Sequence, residues 1–196
     1  MTDITLCVTP KVRESMGQNQ WKAFTGHLGT HFDVMDKVFP MEYAEREGII
    51  FDVSRVGDGE VQISDIDLTL VKADMAVIFA TGFIEKVGYG NPTYFKEHPT
   101  LSPELIDALL LRHISIIGVD CAGVRRGAEH PPMDQHCADH DVFIVENLCH
   151  LGDVLQGRPF ARCHVHTYPM NFTGMTGLPF RVAVDLKIKS PGQLPG

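Results

Sequence analysis

The chain contains two nearly continuous apolar runs, Ile114-Ser115-Ile116-Ile117-Gly118-Val119 and Val142-Phe143-Ile144-Val145. Both are short and rich in β-branched residues, which favours strands over helices. Because apolar side chains occupy consecutive positions, both faces of each strand are expected to be covered. These runs therefore predict buried strands at the centre of a sheet.

Shorter runs of the same kind lie at Ile4 to Val8, Ile49 to Val53 and Ala76 to Phe79, and we expect strands there as well. Helix signals lie between the strands. Ser102-Pro103-Glu104 offers a capping hydroxyl, a proline at the first helical position and an early acid, and leucines follow at helical spacing. Ser64 and Asp67 resemble a capping box. Strands alternating with helices predict an α/β protein.

Two further stretches are interrupted by glycine and proline. Residues 89–100 are interpreted as a surface loop, and residues 121–132 as an irregular segment directly after a buried strand. Loops in that position often contact substrate. Cys121 lies in the second stretch and is interpreted as a buried core thiol rather than a nucleophile.

The composition indicates one globular domain over residues 1–196, with a polar, flexible tail at 187–196. The chain has 196 residues, of which 44% are hydrophobic and 21% charged. Its formal net charge is −8, and its cations are not clustered, so a nucleic-acid partner is not expected.

The cysteines and the N-terminal residues bear on location. Five scattered cysteines without a C-x-x-C pair form neither a disulfide framework nor a zinc ribbon, and free thiols suit a reducing compartment. The first residues do not resemble a signal peptide, and no apolar stretch is long enough to span a membrane. We therefore expect a cytoplasmic protein without a membrane partner.

The strongest functional signal is His27-Leu28-Gly29-Thr30-His31-Phe32-Asp33. Two imidazoles and a carboxylate form a ligand set for zinc, manganese and similar divalent ions. A helix would direct Asp33 away from the two histidines, and a straight strand would separate His27 from Asp33 by roughly 20 Å. The chain must therefore turn, and Gly29 supplies the freedom to do so.

Several motifs together resemble the cyclase family of metal-dependent hydrolases, which includes bacterial kynurenine formamidase. Residues 27–33 match the first seven positions of the family signature H-x-G-T-H-x-D-x-P-x-H. Further similarities follow in the family's order: Ala80-Thr81-Gly82-Phe83, His98-Pro99-Thr100-Leu101-Ser102, Gly118-Val119-Asp120, Ile144-Val145-Glu146-Asn147-Leu148 and Gly177-Leu178-Pro179-Phe180-Arg181. The resemblance extends from about Ile4 to Val184.

The resemblance implies a compact α/β domain with a β-barrel-like core flanked by helices, of the swivelling β/β/α type, in a homodimer or homotetramer. It also implies one or two divalent ions per chain, with zinc as the first choice and manganese as the alternative. By position, His27, His31 and Asp33 would bind the first ion and Asp33 would bridge to a second. Glu146 would be a ligand from the distant half of the chain.

Two departures affect the site. The family's last signature histidine is replaced by Lys37, which is therefore a candidate catalytic group. Another family ligand, a histidine before the glutamate, falls in register on Asp134, with His136 as the alternative ligand two residues later. His130 is a candidate for proton transfer.

These observations predict an enzyme that hydrolyses a small amide, cyclic amide or lactone as its small-molecule substrate. A bound divalent ion can activate water for this reaction without a protein nucleophile. The alternative is a non-catalytic metal- or ligand-binding protein of the same fold that has lost the proton-transferring histidine.

Overall fold

The computed structural model describes residues 1–15 and 20–186; the tail expected at 187–196 lies outside them. The helices are α1 (Pro10–Ser15), α2 (Gln20–Phe24), α3 (Phe83–Val87), α4 (Pro92–Lys96), α5 (Pro103–Leu110), α6 (His130–Ala138) and α7 (Leu151–Leu155). The strands are β1 (Thr2–Asp3), β2 (His31–Asp33), β3 (Glu45–Asp52), β4 (Glu60–Val61), β5 (Ala76–Ala80), β6 (Thr100–Leu101), β7 (Ile116–Val119), β8 (Phe143–Glu146), β9 (Phe160–Thr167), β10 (Gly177–Pro179) and β11 (Val182–Leu186).

Within these described ranges, nine strands form one mixed sheet in the order β1-β11-β9-β3-β5-β7-β8-β2-β10. The central strands β3, β5, β7 and β8 are parallel to one another. The outer strands on both sides pair antiparallel. β4 and β6 form a separate parallel pair. Strands from both ends of the chain thus belong to one sheet.

The sheet separates two apolar layers because successive strand side chains point to opposite faces. Ile49 and Phe51 belong to the layer that packs against α5, whereas Ile50 belongs to the other. On this second face, residues of β5, β7, β8, β9 and β11 line one small cavity, so the sheet curls toward itself. The molecule is a single α/β domain with a curled, half-barrel sheet flanked by helices, as expected.

The local signals for the longer elements are confirmed. Four of the five predicted strands are present, with ends shifted by a few residues. Helix α5 begins at Pro103, and the Ser102 hydroxyl accepts a hydrogen bond from the Leu105 N–H at 3.1 Å. Its apolar side is buried against the sheet.

Other expectations were wrong. Residues 4–8 make only one isolated strand bridge, from Thr5 to Leu148. The segment from Ser64 forms short 3₁₀ turns, and Asp67 caps one of them by accepting the Thr69 N–H at 3.0 Å. These turns are too short to sustain an α-helix.

Residues 89–100, expected at the surface, contain α4 and several buried residues, among them Tyr94 and His98. The Tyr94 hydroxyl donates to Asn147 Oδ1 at 2.7 Å, so this long-range contact draws the segment inward. Among the described residues, no helix is both long and apolar enough to cross a bilayer.

Candidate metal centre

The motif at residues 27–33 is a turn that enters strand β2. Gly29 has φ +73°, in the left-handed region that glycine adopts without strain. An added Cβ at Gly29 would lie 2.7 Å from Val8 Cγ2, so the position also lacks room for a side chain. After this turn, His31 and Asp33 point to the same face of β2, and His27 folds back beside them.

The first ligand triad consists of His27, His31 and Asp33. His27 Nδ1 lies 3.0 Å from His31 Nε2 and 3.0 Å from Asp33 Oδ1. His31 Nε2 and Asp33 Oδ1 are 3.4 Å apart. Ligands at the usual zinc bond lengths in a tetrahedron are about 3.3 Å from one another. The spacing of these three atoms therefore fits a divalent ion.

Strand pairing brings Glu146 to this triad. In the antiparallel pair of β2 and β8, Glu146 lies directly opposite His31. Opposed residues of neighbouring strands share a face, and Glu146 Oε2 is 3.6 Å from His31 Nε2. A ligand more than a hundred residues away in sequence thus becomes a direct neighbour.

Helix α6 completes the cluster. His130 Nε2 lies 2.9 Å from Asp134 Oδ2 and 3.0 Å from Glu146 Oε1. His130 and Asp134 are four residues apart and share one side of the helix. Asp33, His130 and Glu146 form a second triad with ligand atoms within 4.8 Å of one another, so Asp33 belongs to both triads.

Two buried carboxylate oxygens in the cluster, Asp33 Oδ2 and Asp134 Oδ1, have no hydrogen-bond donor among the described residues. Buried anionic oxygens without partners are costly unless a cation compensates them. Together with the imidazole nitrogens they form a nitrogen and oxygen ligand set suited to zinc or manganese. The residues present therefore fit a divalent metal.

A hydrogen-bond network orients His31. Its Nδ1–H donates to the Gly29 carbonyl at 2.9 Å, which leaves Nε2 free to face the cluster. Asn147 Nδ2 donates to the same carbonyl at 2.9 Å, and Tyr94 in turn holds the Asn147 side chain. Sequence reasoning assigned no role to Asn147, although it directly follows Glu146 in a motif that carries the family resemblance.

The carboxylates set the protonation of the cluster. Burial opposes a charged His31, but the Asp33 and Glu146 carboxylates outweigh it and raise the His31 pKa to about 9. Burial is likewise outweighed at His130, where Asp134 and Glu146 raise the pKa to about 11. The neighbouring imidazoles hold the Asp33 pKa well below its usual range despite burial. Protonated imidazoles thus balance the negative charge of the carboxylates, as a bound cation would also do.

A cleft of about 480 Å³ opens onto the cluster. Its walls include Trp21, Tyr89 and Phe95, and Lys22 Nζ lies 3.9 Å from the centre of the Phe95 ring. Burial lowers the Lys22 pKa, while Glu146 and Asp33 oppose that shift. Sequence reasoning missed these cleft residues because nothing local distinguishes them from other aromatic and basic side chains.

The structure does not bring Lys37 to the cluster, which corrects the expectation that it replaces the family histidine. Met35 has φ +53°, and the Lys37 N–H donates to the Val34 carbonyl at 2.9 Å, so the chain turns back after β2. Lys37 Nζ pairs with Asp139 Oδ1 at 2.7 Å and lines a different cleft.

His136 is also not brought to the cluster, and this corrects its assignment as an alternative ligand. It is two residues from Asp134, or about 200° around the helix, so it points away. Its Nε2 lies 2.9 Å from Asp107 Oδ1 near the surface. Of the two candidates, only Asp134 points into the cluster.

Cys121 is buried, and burial raises its thiol pKa well above the usual range. Its Sγ lies near the carbonyl oxygens of Gly123 and Pro99, at 3.5 and 3.7 Å. A protonated buried thiol is a poor nucleophile, in agreement with the interpretation from sequence.

Comparison with known proteins identifies the fold and the family. The chain is similar in structure to isatin hydrolase A from Labrenzia aggregata bound to benzyl benzoate, with 20% identity and a TM-score of 0.65 over 80% of this chain and 72% of that one. It is also similar to isatin hydrolase A from Ralstonia solanacearum, with 18% identity and a TM-score of 0.65 over 80% of this chain and 70% of that one.

A third similar structure is that of a predicted metal-dependent hydrolase from Bacillus stearothermophilus, with 21% identity and a TM-score of 0.61 over 78% of this chain and 74% of that one. At such identities the likeness shows the fold alone. No curated protein matches the sequence. Residues 2–126 match the family model described as "Putative cyclase", which covers more than half of the chain. The chain therefore belongs to the cyclase family.

Proposed function

We propose that this protein is a metal-dependent hydrolase that opens a small cyclic amide, amide or lactone. The observation that carries the proposal is the convergence of two ligand triads, which share Asp33, at the floor of an aromatic-walled cleft. The neighbouring isatin hydrolases support a lactam fused to an aromatic ring as the first substrate class to test.

The proposed ligands of the first ion are His27, His31 and Asp33, and Asp134 and Glu146 would extend the site toward a second. A bound divalent ion lowers the pKa of water toward neutrality and polarises the carbonyl under attack. Three protein ligands leave a position open for water, as catalytic zinc sites require.

His130 is the proposed proton carrier. Its Nε2 lies against two carboxylates, Asp134 and Glu146, that hold it protonated in the metal-free cluster. In hydrolysis of a C–N bond the departing nitrogen must gain a proton, and an imidazolium at the cluster is placed to donate it. When a second ion occupies Asp33, His130 and Glu146, the same nitrogen would serve as a ligand instead.

Lys22 is proposed to bind negative charge that develops on the substrate. Hydrolysis of an amide or lactone produces a carboxylate, and Lys22 extends over Phe95 into the cleft wall. Lys22 is thus proposed for the kind of role at the cluster that the sequence suggested for Lys37. The two lysines form a matched pair: Lys22→Met is expected to raise KM or lower kcat, whereas Lys37→Met is not.

The test is turnover of a panel of isatins, aryl formamides, imides and lactones by protein loaded with Zn²⁺ or Mn²⁺. Hydrolysis of at least one is expected, and His31→Ala should lower metal affinity and rate by more than about 100-fold while the core stays folded. His136→Gln is the control, because it removes a partly exposed histidine outside the cluster.

Failure has two distinct forms. Metal binding at the cluster without turnover of any substrate would favour a non-catalytic metal- or ligand-binding protein, the alternative motivated by the replacement of the family's proton-transferring histidine by Lys37. Absence of any metal after loading would overturn the ligand assignment itself.

We also propose self-association into a dimer or tetramer, which the family resemblance implies. Val38, Met41, Met170 and Phe172 are exposed apolar side chains around one cleft, and clustered apolar surface of this kind favours association. Sedimentation is expected to give a mass above that of one chain, and Met41→Glu to lower it. A monomer in both proteins would refute this assignment.

A further inference from the structure

A second group of metal-ligating side chains lies on the outer face of strand β9. His164 and His166 are two residues apart on this strand, so their side chains share a face. Val165 between them points into the core. Across the sheet, Glu45 of β3 is opposite His166, and Asp185 of β11 is opposite His164. Three neighbouring strands thus present imidazoles and carboxylates to the same surface.

The side chains converge. His164 Nε2 lies 3.6 Å from Glu45 Oε2, and His166 Nδ1 lies 3.8 Å from Glu45 Oε1. The two imidazole rings are 4.8 Å apart between centroids. One ligand atom from each of the three residues lies within 4.8 Å of the others. Small side-chain rotations would bring these atoms to the spacing of about 3.3 Å found around tetrahedral zinc.

Asp185 orients His166 in the manner typical of metal-binding histidines. His166 Nε2 lies 3.1 Å from Asp185 Oδ2, so the proton of the neutral ring belongs on Nε2. The lone pair of Nδ1 then faces Glu45, whose Oε1 accepts a hydrogen bond from the Tyr168 hydroxyl. A histidine whose second ring N–H donates a hydrogen bond to a carboxylate is a usual arrangement around protein-bound zinc.

We propose that Glu45, His164 and His166 bind a transition-metal ion of the zinc type, with Asp185 as a positioning residue. Two imidazoles and one carboxylate are a zinc ligand set and discriminate against Mg²⁺ and Ca²⁺, which prefer oxygen alone. The bound ion joins β3 to β9. The site is separate from the cluster at Asp33, because β3, β5 and β7 lie between β9 and β8 in the sheet.

The chain offers a matched comparison in another pair of histidines. His136 on α6 and His140, two residues beyond the end of this helix, also have ring centroids 4.8 Å apart. One ring nitrogen of each is already hydrogen-bonded: His136 Nε2 to Asp107, and His140 Nδ1 to the His136 carbonyl oxygen. No third ligand joins this pair in the part of the chain that the structure describes. His140→Gln therefore removes a surface histidine without touching the proposed site.

The experiment is a Zn²⁺ titration of the full chain, with calorimetry for the number of equivalents and circular dichroism for the fold. The unmodified chain is expected to bind one equivalent more than His166→Gln. Glu45→Gln should weaken that same equivalent, and Asp185→Asn should raise its Kd about 10- to 100-fold. The His140→Gln control should bind as many equivalents as the unmodified chain.

Two results would overturn the proposal. The first is equal zinc stoichiometry in the unmodified chain and in folded His166→Gln. The second is an equal loss of zinc in His140→Gln and His166→Gln, which would mean adventitious binding to surface histidines. If His166→Gln does not fold, the same comparison with Glu45→Gln decides, because Glu45 is exposed and its loss leaves the core intact.

Discussion

Loading the metal centre is expected to release one proton for each ion near neutral pH. Without metal, the carboxylates of the cluster hold His31 protonated up to about pH 9 and His130 up to about pH 11. A divalent ion binds only the neutral imidazole, so each ion must displace a proton from its triad. The first triad loses the proton of His31, and the second loses that of His130.

The magnitude follows from linkage. Displacement of one proton makes the apparent affinity rise about 10-fold for each pH unit. Between pH 7.5 and 8.5, both imidazoles stay largely protonated in the metal-free protein. The Kd of each ion is therefore expected to fall about 10-fold across this interval.

The assay is isothermal calorimetry of Zn²⁺ binding at both pH values, in two buffers that differ in ionisation enthalpy. The difference between buffers reports the number of protons released. His136→Gln should leave this number unchanged, because His136 lies outside the cluster. An affinity that does not change with pH, together with no proton release, would refute the assigned protonation of the cluster.

Metal affinity should rise with pH, whereas the stability of the metal-free protein should fall as pH rises. The His31 pKa is raised from its ordinary value of 6.5 to about 9, so its contribution is fully present below pH 6.5 and is lost as pH rises toward 9. At about 1.4 kcal/mol for each pH unit, the loss is about 3 kcal/mol in the free energy of unfolding. Urea unfolding with a chelator present measures it, and greater stability at pH 9 than at pH 6.5 would contradict the reasoning.

Three further outcomes are expected. Gly29→Ala should destabilise the fold by roughly 2 to 4 kcal/mol in urea unfolding and weaken metal binding, because the position combines φ +73° with contact to Val8. His98 is fully buried, and burial lowers its pKa to about 4, so stability should fall as pH drops from 6.5 to 4; His98→Asn should reduce that fall. Lys37→Met should leave metal affinity and turnover within about twofold of the unmodified values, since surface ion pairs contribute little.

The elements that could be predicted are those with strong local signals. The runs around Ile116 and Ile144 form strands because their apolar residues must be buried on both faces. Helix α5 begins where Ser102 can cap it. Strands of two residues, such as β1, β4 and β6, are too short for periodicity to reveal, and their existence depends on partners distant in sequence.

The site was only partly predictable for the same reason. The turn at Gly29 and the grouping of His27, His31 and Asp33 depend on a few adjacent residues. Helix α6 was not expected at residues 130–132, and its phase decides that Asp134 points inward and His136 outward. The direction of Lys37 depends on the turn at Met35, and no property of the lysine itself indicates it.

By itself, the sequence determined which kinds of atoms are available: two imidazoles and a carboxylate within one turn, and buried strands to support them. The tertiary structure decided which distant groups meet them. Glu146 becomes a neighbour of His31 through the register of β2 and β8, and His130 through the packing of α6 beside β8. Ligand chemistry belongs to individual residues, whereas strand register and helix phase are set by burial and hydrogen bonding of the whole sheet.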